Sequence, residues 1–332
     1  MTLLQLAIAA GLLAVWTAAL LVRDRWALPV VGSATIKFTH ALPAVLQVVL
    51  FTYWSLYWPG VREHVPVLLA QLAFAYAFDV LLAWNRRRPW HPSLGPIPIV
   101  LSANLFVWFP PAQALLGFGV VAVALLSKSL LRVGGRHIFN PSVLGIAAVA
   151  LLCIALPDNF PYQDISHDFD GPPEMALVIL ILALIPQIRL NTTPVAVGAA
   201  VAMIGTMVLV GSLTGYRGGP SPWWPPWLLA ITLLASDPAT IPSGSVPRLL
   251  FGLFLGVAFY VVSRAMLFTI GTDFFSKIVP IPLANLLVPA FERTGQHLTA
   301  RWPALRRTAG ASGYLAAWVS LSALMLLVSR RV

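Results

Sequence analysis

Apolar stretches separated by short polar breaks make up most of this chain, and they restrict its fold more than any other feature. The first stretch, residues 3–22, contains no charged residue. An apolar helix needs roughly 20 residues to cross the hydrocarbon core of a bilayer. Of the 332 residues, 59% are hydrophobic and 10% are charged, whereas a soluble domain averages about 25% charged residues. The sequence therefore predicts an all-α polytopic membrane protein.

The lengths of the apolar stretches predict about 10–12 transmembrane helices in one integral membrane domain, residues 1–332. Residues 1–34 supply an extra N-terminal helix, and residues 35–330 form the helical core. Several stretches are shorter than a full span, which is typical of discontinuous helices around a site inside the membrane. The predicted helices cover residues 3–22, 41–58, 65–84, 96–109, 112–131, 141–156, 175–188, 194–212, 227–235, 248–270, 279–291 and 313–328.

Charged residues alternate between the two sides of the predicted membrane. Basic residues, including residues 86–88 and the pair Arg306 and Arg307, fall on one side, which the positive-inside rule makes cytoplasmic. The opposite side receives the acidic loop, residues 157–174. This distribution accounts for the net charge of +10 and gives no reason to expect nucleic-acid binding. It is typical of a multi-pass protein of the bacterial cytoplasmic (inner) membrane.

The first notable break follows the stretch that ends near Lys128. Gly134 and Gly135 end the helix, because glycine readily takes the left-handed conformation. Asn140-Pro141 starts the next helix, since Asn is favoured as the N-cap and Pro at the first helical position. Lys128, Arg132 and Arg136 thus surround a helix N-terminus, which attracts anions such as phosphate. The alternative is that these cations are ordinary cytoplasmic loop residues.

The second break, residues 235–247, follows an apolar stretch in the other half of the chain, and Arg248 opens the next stretch. Asp237 either caps that stretch or supplies a carboxylate beside a cofactor or a coupling ion. Ionisable groups inside a membrane are costly and usually functional, which also makes Asp79 and Arg264 candidates. The placement of one break in each half suggests an internal structural repeat.

Together the two breaks resemble one family, the membrane flavin subunit that the Rnf electron-transport complex shares with the sodium-pumping NADH:quinone reductase. The matching pieces are Gly135-Arg-His-Ile-Phe-Asn-Pro-Ser-Val-Leu-Gly145, Ser236-Asp-Pro-Ala-Thr240 and Arg248-Leu-Leu-Phe-Gly252. The resemblance spans residues 35–330. It implies a membrane subunit of an electron-transport complex, which relays electrons through a flavin or supports neighbouring redox subunits. The implied partners are other membrane or membrane-attached redox subunits and the lipid bilayer.

The chain contains no phosphate-binding loop, dinucleotide fingerprint or hydrolase elbow. We therefore assign no catalytic residue and expect electrons to arrive from a partner. Two other functions stay open: a small-solute or ion channel or carrier on the same scaffold, and a structural anchor subunit that has lost its cofactor. The residues expected to hold a cofactor are Lys128, Arg132, Arg136, His137, Asn140, Asp237, Thr240 and Arg248.

The expected cofactor is flavin mononucleotide or riboflavin, bound noncovalently. Typical members of the resembled family esterify flavin mononucleotide to a threonine in the loop that follows the Asn-Pro helix. The corresponding loop here, residues 157–174, contains no threonine. Haem is not expected, because the 6 histidines fall in or near predicted loops. An iron–sulfur cluster or a cysteine-based metal site is not expected either, because Cys153 is the only cysteine.

Overall fold

Helices make up nearly all the regular structure in the computed structural model, which describes residues 3–216, 218–302, 305 and 311–329. They are α1 (Leu3–Arg23), α2 (Phe38–Tyr57), α3 (Pro59–Asn85), α4 (Pro96–Asn104), α5 (Ala114–Leu130), α6 (Pro141–Ala155), α7 (Met175–Leu190), α8 (Thr193–Thr214), α9 (Pro225–Leu229), α10 (Ser245–Ile270), α11 (Pro280–Leu286), α12 (Val288–Arg301) and α13 (Ala311–Ser329). Among the described residues, 5 helices are long and apolar enough to cross a membrane: α1, α3, α5, α8 and α10. Shorter apolar helices lie at α6, α7, α9 and α13. The chain is an all-α, multi-pass membrane protein, as the apolar stretches predict.

Strands form two short pairs. They are β1 (Val107–Trp108), β2 (Arg132–Val133), β3 (Arg136–His137) and β4 (Gln163–Asp164). β1 pairs antiparallel with β4, and β2 pairs with β3. Gly134 and Gly135 lie between β2 and β3 with φ angles of 57° and 82°, in the left-handed region that favours glycine. The predicted break after α5 is therefore confirmed, and it takes the form of a β-hairpin.

The chain divides into two compact units, the N-terminal unit (Met1–Arg132 with Pro141–Pro172) and the C-terminal unit (Val133–Asn140 with Pro173–Val332). In the N-terminal unit, α4 packs against α2, α3 and α6, and α5 packs along α6. α5 and α6 approach closely at Gly145, where a β-carbon would collide with the carbonyl oxygen of Val120. The short helix α4 is thus enclosed by longer helices.

α8 and α10 pack along one another in the C-terminal unit and touch backbone to backbone. Gly252 and Gly256 lie one turn apart on α10, and a β-carbon on either would collide with a carbonyl oxygen of α8, that of Val195 or Ala199. A β-carbon on Gly198 of α8 would lie 2.6 Å from the Leu249 carbonyl oxygen. Small residues at this spacing let membrane helices approach closely, so glycines set the distance between these two helices.

Several helices are shorter than a membrane span, as the short apolar stretches predict. α4 has 9 residues, and α9 has 5 before it continues as a π-helical turn, Ala230–Leu234. The predicted helix over 279–291 is instead split, because α11 ends at Leu286 and α12 follows at an angle of 64°. Pro289 has no N–H group with which to continue the hydrogen bonding of α11, and polar residues follow it.

α3 begins earlier than its apolar pattern predicts, at Pro59 rather than at residue 65. Proline is favoured at the first helical position, so the polar residues Glu63 and His64 lie in the opening turns of a long helix. The expectation that every histidine falls in or near a loop is therefore wrong for His64. Arg306 and Arg307, whose charges support the predicted orientation, lie outside the described residues.

Candidate functional site

The two breaks found in the sequence lie against one another in the C-terminal unit. The Nη2 group of Arg136 donates to the carbonyl oxygen of Pro238 at 3.2 Å and to that of Ile241 at 3.1 Å. Carbonyl groups in a broken helix lack the partners that a continuous helix would give them. The guanidinium group of Arg136 therefore donates hydrogen bonds to two backbone carbonyl groups of the second break. An ordinary loop cation would not have this role.

Asn140 joins the same junction. Its Nδ2 group donates to the Leu234 carbonyl oxygen at 2.9 Å, and its backbone N–H donates to Oδ1 of Asn285 at 3.3 Å. Asn285 also donates from Nδ2 to the Thr240 carbonyl oxygen at 3.1 Å. Both asparagines are buried, with relative exposures of 6% and 2%. The polar groups of the two breaks thus satisfy one another in a water-poor interior.

Arg248 lies one turn inside α10 and caps the C-terminal end of α7. Its Nη1 group donates to the carbonyl oxygens of Leu190 at 2.9 Å and Asn191 at 2.6 Å. Its Nε group donates to the Pro242 carbonyl oxygen at 2.9 Å. A cation at the C-terminus of a helix also interacts favourably with the helix dipole. Arg248 therefore connects α7, the second break and α10.

Asp237 does not cap α10, as one of the two alternatives expected, because the N-cap residue of that helix is Gly244; it forms a turn earlier in the second break. Its Oδ1 atom accepts a hydrogen bond from the Ala239 N–H at 3.0 Å. Its carbonyl oxygen accepts one from the Thr240 N–H at 3.0 Å, and the buried Thr240 hydroxyl also donates to it at 3.3 Å. The carboxylate thus organises a turn in the second break.

The eight residues predicted to hold a cofactor belong to both compact units. Lys128 and Arg132 are in the N-terminal unit, whereas His137 is half-buried in β3 of the C-terminal unit. The Lys128 ammonium nitrogen lies 2.7 Å from where a β-carbon on Gly95 would be. A side chain at residue 95 would therefore require the end of the flexible Lys128 side chain to move. A cofactor-binding role for the eight residues stays a prediction.

The two other charged candidates, Asp79 and Arg264, have aromatic partners. Oδ2 of Asp79 accepts a hydrogen bond from the Trp90 indole at 2.9 Å. The Arg264 guanidinium carbon lies 4.2 Å from the ring centroid of Tyr216 and 5.2 Å from that of Phe268. These are cation–π distances, so both residues support local packing.

A cavity of about 280 Å³ lies in the N-terminal unit, between the first turns of α3 and the C-terminal end of α4. We call it the aromatic cavity. Its walls combine aromatic rings with small residues and a few amide and charged groups. They include Trp58, Gly60, Glu63, His64, Gln71, Asn104, Trp108, Phe109, Gly117 and Gln163. A small concave site with few polar groups is the usual form of a small-molecule site.

Trp108 organises the aromatic wall. Its ring is nearly parallel to that of His64, with centroids 4.0 Å apart and an interplanar angle of 5°. It also stacks with Trp58 at 4.8 Å and 6°, and its indole N–H donates to the Asn104 carbonyl oxygen at 2.8 Å. Three nearly parallel rings thus form a wall whose orientation is fixed from the end of α4.

The polar groups of the cavity form a network whose donors and acceptors can be assigned. The Asn104 Nδ2 group donates to Oε1 of Gln71 at 2.6 Å and to the Val100 carbonyl oxygen at 2.9 Å. Its Oδ1 atom must then accept the hydrogen bond that joins it to Nε2 of His64 at 3.0 Å. A neutral His64 therefore carries its proton on Nε2 and leaves Nδ1 as an acceptor. Among the described residues, Nδ1 of His64 and Nε2 of Gln71 have no hydrogen-bond partner.

Gly117 on α5 makes room for Gln71. A β-carbon on Gly117 would lie 2.5 Å from Nε2 of Gln71, so any side chain there would push this amide aside. Gln71 is only 3% exposed and lines the cavity. A ligand in the cavity could accept a hydrogen bond from its amide group.

The sequence contains a signal for Asn104 and Asn285 that lies outside the two breaks. Pro96-Ile-Pro98 precedes Ala103-Asn104-Leu105, and Pro280-Ile-Pro282 precedes Ala284-Asn285-Leu286. In each compact unit this motif forms a short helix that ends at or next to a buried, fully engaged asparagine. The asparagine lies eight residues after the first proline in α4 and five in α11, so the internal repeat stays a prediction.

Lys277 is a further buried polar residue that lies outside the two breaks. It is the only charged residue in the stretch 274–291 and is 1% exposed. Its ammonium nitrogen lies 5.4 Å from the ring centroid of Trp227 and 5.6 Å from that of Trp224. Aromatic faces stabilise a buried cation, so the C-terminal unit holds a lysine enclosed by indole rings.

No protein-family model matches the chain, and no curated protein is significantly similar to it.

Proposed function

We propose that the chain is a membrane subunit of an electron-transport complex and that it binds a flavin noncovalently in the aromatic cavity. The observation that carries the proposal is the pairing of a stacked aromatic wall with two unpaired hydrogen-bonding groups. The resemblance of the two breaks to the membrane flavin subunits supports the same class of cofactor. The proposal places the chain in a bacterial cytoplasmic membrane, beside redox subunits that supply and remove electrons.

The chemistry of the cavity fits the isoalloxazine ring of a flavin. A flat, fused ring matches a wall of parallel aromatic rings. One edge of isoalloxazine alternates carbonyl acceptors with an N–H donor, which complements the Gln71 donor and the His64 acceptor. The volume of about 280 Å³ lies just below the usual range of small-molecule sites, about 300–1,000 Å³, so a ring system fits it better than a whole dinucleotide.

The cavity suits the ring better than the junction of the two breaks does. The guanidinium groups of Arg136 and Arg248 each donate to at least two backbone carbonyl groups. Taking either cation for a flavin phosphate would leave those carbonyl groups unpaired, at a cost of about 1–3 kcal/mol for each. In the cavity, by contrast, the free donor and acceptor gain partners.

When bound, a flavin supplies one- and two-electron redox chemistry. The chain's own residues would hold it: the aromatic wall of Trp58, His64 and Trp108 would lie beside the ring, and Gln71 would donate a hydrogen bond to it. His64, held through Asn104, presents an acceptor for an N–H group. The enclosing helices α3, α4 and α5 limit the access of water.

Purification of the full chain in a mild detergent, followed by absorbance spectroscopy and mass spectrometry of the released small molecules, tests the proposal. We expect a flavin in the wild-type protein and an unchanged polypeptide mass. We expect Gln71→Leu and Trp108→Leu to lower flavin occupancy at least tenfold, whereas Trp302→Leu, at a tryptophan outside the cavity, leaves it unchanged. Absence of flavin from the wild type, together with no binding of added riboflavin or flavin mononucleotide, would refute the proposal.

A small-solute carrier is the second candidate, because each compact unit contains a short helix of the kind that lines transport sites, α4 and α9. The polar amide groups of the aromatic cavity would then bind a small, planar, uncharged solute. Flux of such a solute into proteoliposomes that contain the flavin-free chain, abolished by Gln71→Leu, would favour this function over electron transfer.

A further inference from the structure

The exposed face of α12 carries a row of basic side chains. Arg293, His297 and Arg301 follow one another at intervals of four residues and are all exposed. This interval places side chains on one face of a helix. Among the described residues, no carboxylate lies within salt-bridge distance of these three side chains. We call this row the α12 basic stripe.

The opposite face of α12 is fixed against α10, so the stripe has a defined direction. The Phe291 ring packs edge to face on Phe251, with centroids 5.8 Å apart. A β-carbon on Gly295 would collide with the ring of Pro247, so α12 packs directly on this proline. Glu292, the one acidic residue of α12, accepts the N–H of Ser243 at 2.9 Å. The Glu292 side chain thus points toward the rest of the protein, whereas the basic side chains of α12 point away from the protein.

We expect the chain on both sides of α12 to hold this helix at the membrane surface. The apolar helix α11 precedes it with a bend of 64°, and the apolar helix α13 begins at Ala311, ten residues after Arg301. Charged side chains at residues 292, 293 and 301 do not enter hydrocarbon. Trp302 is 51% exposed, with the Arg301 guanidinium carbon 5.5 Å from its ring centroid, and exposed tryptophan is typical of the membrane interface.

We propose that the α12 basic stripe binds the headgroups of anionic phospholipids. A polybasic segment beside a membrane helix attracts anionic lipids, and the tether to α11 and α13 keeps α12 within the range of that attraction, about 8–10 Å in physiological salt. Arg306 and Arg307 add two charges to the same segment of the sequence. Trp302 beside Arg301 favours a lipid surface over an acidic protein as the occupant.

Binding of phosphatidylglycerol and phosphatidylcholine to the delipidated full chain, measured by native mass spectrometry, tests this proposal. Each basic residue contributes about fivefold to affinity for an anionic surface, so R293Q/R301Q is expected to weaken phosphatidylglycerol binding roughly 25-fold and to leave phosphatidylcholine binding unchanged. R293K/R301K, which keeps both charges, is expected to bind like the wild type. This result would show that substitutions at residues 293 and 301 do not disrupt the fold.

R62Q/R189Q is the matched control, because both arginines are exposed and lie outside α12. It is expected to bind phosphatidylglycerol within about twofold of the wild type. The proposal is overturned if R293Q/R301Q binds this lipid as tightly as the wild type, or if the control loses as much affinity. It is also overturned if the stripe binds a soluble acidic polypeptide and not phosphatidylglycerol.

Discussion

Asn285 accepts the backbone N–H of Asn140 and donates to the carbonyl oxygen of Thr240, so one buried side chain serves both breaks of the chain. The two partners are separated by 100 residues in sequence, and neither break contains the residue that joins them. The geometry of the junction therefore depends on the short helix α11, which positions Asn285 at its C-terminal end.

Asn285→Ala should destabilise the folded protein by about 1–3 kcal/mol, because it leaves a buried N–H and a buried carbonyl group without a partner. The measurement is the midpoint of denaturant unfolding in detergent. Asn159→Ala, at an exposed asparagine, is the control and should change stability by less than about 0.5 kcal/mol. Equal stabilities of the two variants would show that the junction is not held by Asn285.

Gly256→Ala should destabilise the C-terminal unit by about 1–3 kcal/mol, because the new β-carbon would collide with the Ala199 carbonyl oxygen and separate α8 from α10. Gly205→Ala on α8 is the matched control, since a β-carbon there would meet no atom within 4 Å. The Gly205→Ala protein should be more stable by about 0.5–1 kcal/mol, because alanine has a higher helix propensity than glycine. Thermal unfolding of both variants at equal detergent concentration provides the comparison, and a stable Gly256→Ala protein would contradict the described packing.

Asp237→Asn should retain stability and flavin occupancy, because an asparagine oxygen can accept the Ala239 N–H in the same turn. Asp237→Ala should destabilise the protein by about 1 kcal/mol, the usual net contribution of one such hydrogen bond. Unfolding midpoints and flavin content of the two variants, with Asp170→Asn as a control in the acidic loop, distinguish a turn-forming role from a charged one. Loss of flavin in Asp237→Asn alone would assign a function to the negative charge.

The β-hairpin between α5 and α6 should face the cytoplasm. Val133 is 70% exposed in this hairpin, so Val133→Cys in a Cys153→Ala background offers a single accessible thiol. In intact cells it should react with a membrane-permeant thiol reagent and not with an impermeant one. Asp158→Cys, in the acidic loop, should react with both. The reverse pattern would invert the predicted orientation.

Local sequence signals predict the ends of several elements, because backbone conformation depends strongly on glycine and proline. Gly134 and Gly135 take the left-handed conformation, but they form the turn of the β-hairpin and do not end α5, which already ends at Leu130; Pro141 starts α6 as predicted. Pro59 likewise starts α3, although polar residues follow it. Hydrophobicity alone therefore predicts a start for α3 that is too late in the sequence.

The contacts of the candidate site could not be predicted from the breaks themselves. Arg136 and Arg248 carry the charge expected of an anion site, but their partners are carbonyl groups that only the folded chain brings near. The aromatic cavity depends on Gly117 facing Gln71, a pairing of residues from α5 and α3 that no local pattern reveals. The repeated Pro-Ile-Pro motif was the one local clue to its key asparagine.

The glycine contacts between α8 and α10 determine how the C-terminal unit can move. Where two backbones touch directly, no layer of side chains lies between them to change rotamer and absorb sliding, so the two helices have to travel as a rigid block. Any rearrangement during a working cycle must then be taken up at the ends of that block. Gly244 and Gly271, which flank α10 with φ angles of 90° and 72°, are where its hinges would be.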